Sequence, residues 1–387
     1  MIFKIRQLIK KILLFLGSPY KIKDLIILES HADYSDNSRS FYEYLINNNY
    51  NEKYKIYWFV NDAKKFEDKK AKNVKFLTMW TVGTKRTLFQ WIKYFWIVKN
   101  AKFLIFSNRN LPKVNRKTKK VYINHGVAIK SVKGRRMVPL DADYVVDASE
   151  FGAELLMDQQ DLKRDQIIVV GNPRNDIIFT KTDIAKKVKD FKKYKKVVLW
   201  LPTFRVSKTE NRVDSTFEFP LGLPIIYDVD TLKSLNKYLN ERNIALVIKP
   251  HPAQDMSVFK AEDLSNIIII NDQYLIDHNT ELTEFYKITD ALITDYSSVY
   301  VDYLLTQKPI CFTQDDFEEY KLGFSMPNIQ DYMPGEKVKN IEEFKQFFDH
   351  LDKDIDKYKK ERKKVNDAFN AFNDNKSSER LIKAINL

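Results

Sequence analysis

The chain has 387 residues, 44% hydrophobic and 30% charged, enough for two domains of ~150 residues each and neither fibrous nor disordered in composition. It holds 9 glycines and no GxGxxG or GxxxxGK[ST] run, which counts against a glycine-built dinucleotide fingerprint and P-loop ATPase chemistry. The single cysteine, Cys311, excludes an intrachain disulfide and any multi-cysteine zinc or iron–sulfur site, and its apolar surroundings suit a small buried hydrophobe. Net charge is +13 but unevenly spread: residues 1–136 carry 30 Lys/Arg and 9 Asp/Glu, the remainder 35 and 43. From Lys69 to Arg136 there are 19 basic side chains and no acidic one. A one-signed stretch of this kind suits a polyanionic partner: nucleic acid, an anionic membrane surface or a phosphate-rich substrate.

Residues 1–16 read MIFKIRQLIKKILLFL, with Ile2, Ile5, Ile9 and Ile12 on one helical stripe among Lys4, Arg6, Lys10 and Lys11. This is too short and too charged to span a bilayer, which needs ~20 apolar residues. It also lacks the apolar core and cleavage site of a signal peptide. An interfacial amphipathic segment over residues 1–20 is expected, the alternative being an ordinary packed first helix. A second such stretch, 84–100, sets Trp91, Phe95 and Trp96 among Lys85, Arg86, Lys93 and Lys99. The mixture fits a headgroup region, and a buried helix between strands is the alternative.

Short apolar runs predict strands at 24–29, 55–60, 73–77, 102–106, 120–123, 144–147 and 167–170, then at 197–201, 244–249, 266–270, 291–294 and 309–312. Helical patterns fall between most of them, at 40–49, 84–99, 150–157, 231–242, 281–287, 298–306, 341–350 and 354–370. This alternation predicts βαβ units and parallel sheets. The Lys-rich run 180–196 suggests a domain boundary. The expected architecture is two Rossmann-like domains, 21–180 and 196–365, facing each other across a cleft, with a C-terminal helix over 366–387 that packs back on the first.

Ligands of such folds collect at the carboxyl ends of strands, and four of those ends are unusual. At KVYINHG, His125 and Gly126 are followed by Lys130, Lys133, Arg135 and Arg136. LPTFR presents Thr203 and Arg205. IKPHP holds Lys249 and His251 between two prolines. ALIT runs into DYSSVYVDYLL, where Asp295, Ser297 and Ser298 are expected to cap a helix whose free N–H groups suit a diphosphate. Two of the five histidines, His125 and His251, thus sit at strand ends, one in each half. Nothing at i+3 or i+4 completes a zinc set, so acid–base work suits them better than metal binding. Three Asp-x-Asp triplets, at Asp141/Asp143, Asp228/Asp230 and Asp352/Asp354, lack a strand–DxD–strand setting and read as chance.

The motifs NHG, GNPRND (171–176), LPTFR, IKPHP and TDYSSVYVDYLLTQKPICF, in this order, resemble the CDP-glycerol glycerophosphotransferases. These are the teichoic acid primases and polymerases and related capsule polymerases. The resemblance runs from about residue 20 to 350. Asn124 is a departure, since many members have Trp before His-Gly, and it bears on acceptor preference more than on the chemistry. The resemblance implies a GT-B fold, monotopic attachment to the cytoplasmic face of the membrane, and CDP-glycerol or a related CDP-polyol such as CDP-ribitol as donor. It implies attack of an acceptor hydroxyl on the β-phosphorus with CMP leaving, and a lipid-linked glycan or polyol-phosphate acceptor. His125 and His251 match the family's two essential histidines. Thr294, Ser297 and Ser298 match its donor-phosphate contacts, and Arg205 and Asp302 match polar positions of the same site. No cofactor or metal is expected, because phosphoryl transfer asks mainly for positioning and charge neutralisation. Lys130, Lys133, Arg135 and Arg136 are expected to meet the polyanionic acceptor. Nucleic acid is not expected as a partner, because the aromatics lie on a membrane-like helix rather than a stacking face. A GT-B glycosyltransferase using a nucleotide sugar, a nucleic-acid binder and a non-catalytic membrane scaffold are the rival readings.

Overall fold

The computed structural model describes residues 11–30, 33–69, 71–79, 87–107, 111–131, 140–203, 206–207, 212–213, 215, 217, 219–250, 264–321 and 323–387. The chain divides into two compact units, one drawn from residues 1–127, 138–176 and 374–387, the other from 128–137 and 177–373. The segment that follows the NHG motif therefore groups with the second unit.

The first unit is built on seven parallel strands: β1 (Lys23–Glu29), β2 (Lys55–Val60), β3 (Val74–Thr78), β4 (Ala101–Phe106), β5 (Lys119–Tyr122), β6 (Tyr144–Asp147) and β7 (Ile167–Val169), in the order β3-β2-β1-β4-β5-β6-β7. Their apolar runs, such as Leu25–Leu28 and Phe103–Phe106, are buried along their length, as expected of a parallel sheet covered on both faces. Helices α1 (Asp36–Asn47), α2 (Leu88–Val98) and α3 (Glu150–Gln159) return the chain between strands. The strand order reverses between β1 and β4, the position at which such sheets bind ligands.

The second unit repeats the plan. Strand β8 (Lys196–Leu201) is followed by a two-stranded antiparallel ribbon, β9 (Val206–Ser207) with β10 (Arg212–Val213). Strands β11 (Ile244–Ile248), β12 (Ile267–Ile269), β13 (Ala291–Thr294), β14 (Ile310–Thr313) and β15 (Glu336–Val338) join β8 in a parallel sheet ordered β12-β11-β8-β13-β14-β15. Here the order reverses between β8 and β13. Helices α4 (Val229–Glu241) and α5 (Ile341–Asp352) pack Leu232, Leu235 and Leu239, and Phe344, Phe347 and Phe348, into its core. Cys311 lies fully buried in that core, where burial pushes its thiol pKa well up. After α6 (Lys359–Phe369) the chain re-enters the first unit. There α7 (Ser377–Ile385) places Leu381, Ile382 and Ile385 in the first core, and the Asp176 carboxylate accepts from the N–H groups of Ser377 (2.9 Å) and Ser378 (3.0 Å). Among the described residues no helix is long and apolar enough to cross a membrane.

Candidate functional site

In the first unit the site grows from the carboxyl end of β5, one strand beyond the reversal. Asn124 turns the chain with φ +41° and Gly126 follows at +154°, a backbone only glycine adopts readily at the second position. His125 stands exposed at the tip. Its Nδ1 lies 3.0 Å from the Ser107 carbonyl, just beyond β4, and 2.8 Å from the Tyr122 hydroxyl. A carbonyl only accepts, so this contact assigns the Nδ1–H tautomer, with the Tyr122 hydroxyl as a second acceptor and the basic lone pair on Nε2. Burial, with Asp36, Asp147 and Glu29 nearby, holds the Tyr122 phenol well above its usual range, so it stays neutral.

The loop is braced from several elements. Asn124 Oδ1 accepts from the His125 N–H (2.7 Å) and the Gly126 N–H (3.3 Å). Asn37 of α1 donates Nδ2 to the Asn124 carbonyl at 2.9 Å. Arg174, from the GNPRND motif, donates Nη1 to the His125 carbonyl at 3.0 Å and to Asp36 Oδ1 at 2.5 Å. Asp147, at the end of β6, is buried, and desolvation pushes its carboxyl up to about 6. The sequence reading missed Asn37, Asp36 and Asp147, and quoted Arg174 only as part of a motif. Their one signal is position, since Asp147 ends a strand and Asp36 and Arg174 lie a few residues beyond one.

In the second unit the reversal point is clasped by side chains. Thr203, after β8, donates its N–H to Asp295 Oδ2 (2.9 Å) and its hydroxyl to Asp295 Oδ1 (2.5 Å). Thr294 donates its fully buried hydroxyl to the Leu201 carbonyl at 2.8 Å. Ser297 and Ser298 follow, half-buried, ahead of a short helix at Val299–Tyr303 that runs on as a 3-10 turn to Thr306. The expected cap is not formed as drawn. Ser298 occupies the N-cap position with helical dihedrals and no side-chain cap, and only Ser297 Oγ reaches the Val299 N–H, at 3.4 Å. Asp295, expected to share in the cap, instead accepts the two donors of Thr203. Asp302 is buried one turn on. Lys249, at the end of β11, pairs with Asp272 at 2.7 Å. Lys130 forms an antiparallel bridge with Phe324 and holds its ammonium 5.7 Å from the Tyr320 ring centre. Tyr320 in turn packs 4.2 Å from Tyr296, the neighbour of Ser297. The structure thus sets Lys130 in the unit that carries the two serines. His251, Arg205, Lys133, Arg135 and Arg136 lie outside the described residues.

Five of the six Asp-x-Asp residues are engaged elsewhere: Asp141 on Lys120, Asp143 on Lys113, Asp228 as the cap of α4, Asp352 on Lys195 and Asp354 on Lys196. Among the described residues no cluster of three or more His, Cys, Asp or Glu could hold a metal ion. On α2, Trp96 is exposed, whereas Trp91 and Phe95 are half-buried against Tyr94 and Tyr20. Leu88, Phe89 and Ile92 are exposed on the same helix, and Ile12, Phe15 and Leu16 on helical residues 11–17. These two segments meet at Tyr20, whose ring contacts Phe95 and Trp96, and at Asn115, which donates to the carbonyls of Gly17, Tyr20 and Lys99.

Comparison with known proteins agrees with this architecture. The chain is 28% identical over 232 residues to the teichoic acid ribitol-phosphate polymerase TarK of Staphylococcus aureus, covering 57% of this chain and 41% of that protein, so it spans under half the length of this relative. It is 25% identical over 327 residues to a teichoic acid poly(glycerol phosphate) polymerase of Bacillus spizizenii, covering 77% and 75% of the two chains. The fold matches that of the wall teichoic acid polymerase TagF, solved as a variant with CDPG, at a TM-score of 0.69 and 22% identity over 94% of this chain and 88% of that one. Two Rossmann-like units on parallel sheets are thus the GT-B plan expected from the sequence. Residues 12–387 match the family model of the CDP-glycerol:poly(glycerophosphate) glycerophosphotransferases, and the chain belongs to that family.

Proposed function

We propose that the chain transfers a polyol phosphate from a CDP-activated donor, CDP-glycerol or CDP-ribitol, to a hydroxyl of a lipid-linked acceptor in teichoic acid or capsule synthesis, with CMP as the leaving group. The observation that carries the reading is His125, exposed at a strand end one strand beyond the reversal point, with Nδ1 against the Ser107 carbonyl and Nε2 left for the acceptor. Nε2 takes the proton of the acceptor hydroxyl as its oxygen attacks the β-phosphorus. The bond from that phosphorus to the bridging oxygen breaks, and the bridging oxygen leaves with CMP. Ser297 and Ser298 hydrogen-bond the donor diphosphate. Thr294, with the Thr203–Asp295 clasp, holds the strand ends that present them. His251 and Arg205 neutralise charge on the transferring and leaving phosphates, and Asp302 completes the polar lining. Lys130, Lys133, Arg135 and Arg136 attract the polyanionic acceptor. The exposed apolar residues of 11–17 and α2 seat the protein peripherally on the cytoplasmic leaflet.

The test is product analysis with purified protein, a lipid-linked disaccharide, and CDP-glycerol, CDP-ribitol or UDP-sugars offered separately. CMP release with a polyol-phosphate product is expected, falling ~10²–10⁴-fold in His125→Ala, as for loss of a positioned base. Sugar transfer from a UDP-sugar in place of polyol phosphate would refute the reading.

A further inference from the structure

We infer that Asn124 is the positioning residue of the His125 base, oriented by the buried Asp147 carboxylate. The inference rests on the reading of His125 as the proton acceptor.

Four facts converge on Asn124. Its backbone sits at φ +41°, a region that asparagine, aspartate and glycine enter far more readily than other residues. Its Oδ1 accepts from both N–H groups that follow, those of His125 and Gly126, an Asx-type turn that fixes how the imidazole leaves the strand. With Oδ1 so committed, Nδ2 must face the other way, and it lies 3.5 Å from Asp147 Oδ2. Asp147 cannot swing to avoid it, because its Oδ1 accepts from the N–H groups of Ala148 (2.7 Å) and Ser149 (3.3 Å) ahead of α3.

The carbonyls are tied as firmly. The Asn124 carbonyl accepts from Asn37, whose own Oδ1 accepts the Arg174 N–H at 3.0 Å, and Arg174 Nη1 holds the His125 carbonyl. The groups that set the ring itself are different: the Ser107 carbonyl and Tyr122. The tautomer and the placement of His125 therefore have separate supports, and Asn124 is the centre of the second. Glycine would take the dihedral but organise neither N–H. Aspartate would take both, and would set two carboxylates face to face. Only an amide combines the left-handed turn, an acceptor for two N–H groups and a donor for Asp147.

Exchanging the two side chains tests this. Asn124→Asp faces Asp147 with a second carboxylate, and Asp147→Asn faces Asn124 with a second donor. The double variant restores one donor and one acceptor in swapped places. In the CMP-release assay, with whichever CDP-polyol the wild type turns over, each single variant is expected to lose kcat by up to ~10²-fold, the cost of a small misplacement of a reacting group. Donor KM should stay within about twofold, since ground-state donor binding does not use these residues. The double variant should regain most of kcat. Asn124→Gly, which keeps the dihedral, should match the single losses and so stands in if Asp147→Asn fails to fold. Full kcat in Asn124→Gly or Asn124→Asp, with His125→Ala inactive, would overturn the inference while leaving the base in place. A double variant no better than the worse single would overturn it too. Full turnover of His125→Ala would remove the base, and the positioning role with it.

Discussion

The apolar residues left in solvent on the first unit should carry much of its membrane affinity. Phe15, Leu88 and Phe89 are 75%, 76% and 74% exposed, so substitution to Ser removes little packing from the folded state. Full burial of a large apolar side chain contributes ~1.5–3 kcal/mol, so about three-quarters of that is available to each on entering the interface. The triple variant should lose ~4–5 kcal/mol, about a 10³-fold drop in partitioning at 1.4 kcal/mol per tenfold. Its unfolding midpoint should barely move, because surface changes of this kind usually fall within ~0.5 kcal/mol each. Sedimentation with vesicles of mixed zwitterionic and anionic lipid reads the partition coefficient directly. At ~1 M salt the Debye length shrinks to about 3 Å, so the wild type should lose only the electrostatic part of its binding. Trp91 and Phe95 provide the contrast: packed against Tyr94 and Tyr20, they should cost stability when replaced by Ser. Undiminished sedimentation of the triple variant would refute the interfacial role of this face.

Ser297→Ala and Ser298→Ala should each raise donor KM by the equivalent of ~1–3 kcal/mol, the range for a charge-assisted hydrogen bond, checked by calorimetry with CDP-glycerol. Arg205→Ala should weaken the donor further in the same titration. The Asp147 carboxyl, pushed up to about 6 by burial, gives a signed pH effect. Between the ordinary aspartate pKa of ~4 and 6 the folded chain holds a proton the unfolded chain has lost, so this contribution to stability is full below ~4 and falls as pH rises through 6, on the order of 3 kcal/mol in all. Denaturant titrations at several pH values should show a flatter slope in Asp147→Asn than in wild type across that window. Asp176→Ala should strip the buried Ser377 and Ser378 N–H groups of their acceptor, costing about 2 kcal/mol, read as a lower unfolding midpoint.

Much of the fold was legible because parallel strands buried on both faces announce themselves as continuous apolar runs. All twelve predicted runs are strands, among them KIYWFV at β2 and IALVI at β11. Strand β15 was missed because its sequence, EKV, buries only Val338, and an edge strand needs no apolar run. The ribbon of β9 and β10 has two residues per strand, too short for any periodicity. At the site, strand-end position pointed to His125 and Ser297 from sequence alone. What sequence could not supply was the convergence on Asn124 and His125 of Asn37, Asp147 and Arg174, which lie 87, 23 and 49 residues away from their partners there. The role of Asp295 was misjudged for a related reason: a local cap competes with Thr203, 92 residues distant, which offers two donors at once.

The return of α7 to the first unit has a consequence for biosynthesis. Leu381, Ile382 and Ile385 belong to the first core, yet they leave the ribosome only after residues 177–373 of the second unit. The first unit therefore waits with part of its core incomplete while residues 177–373 emerge and complete their own. The order of emergence and the order of completion are inverted. Removing α7 would injure the unit made first, the one carrying His125, and leave the one carrying Ser297 and Ser298 intact.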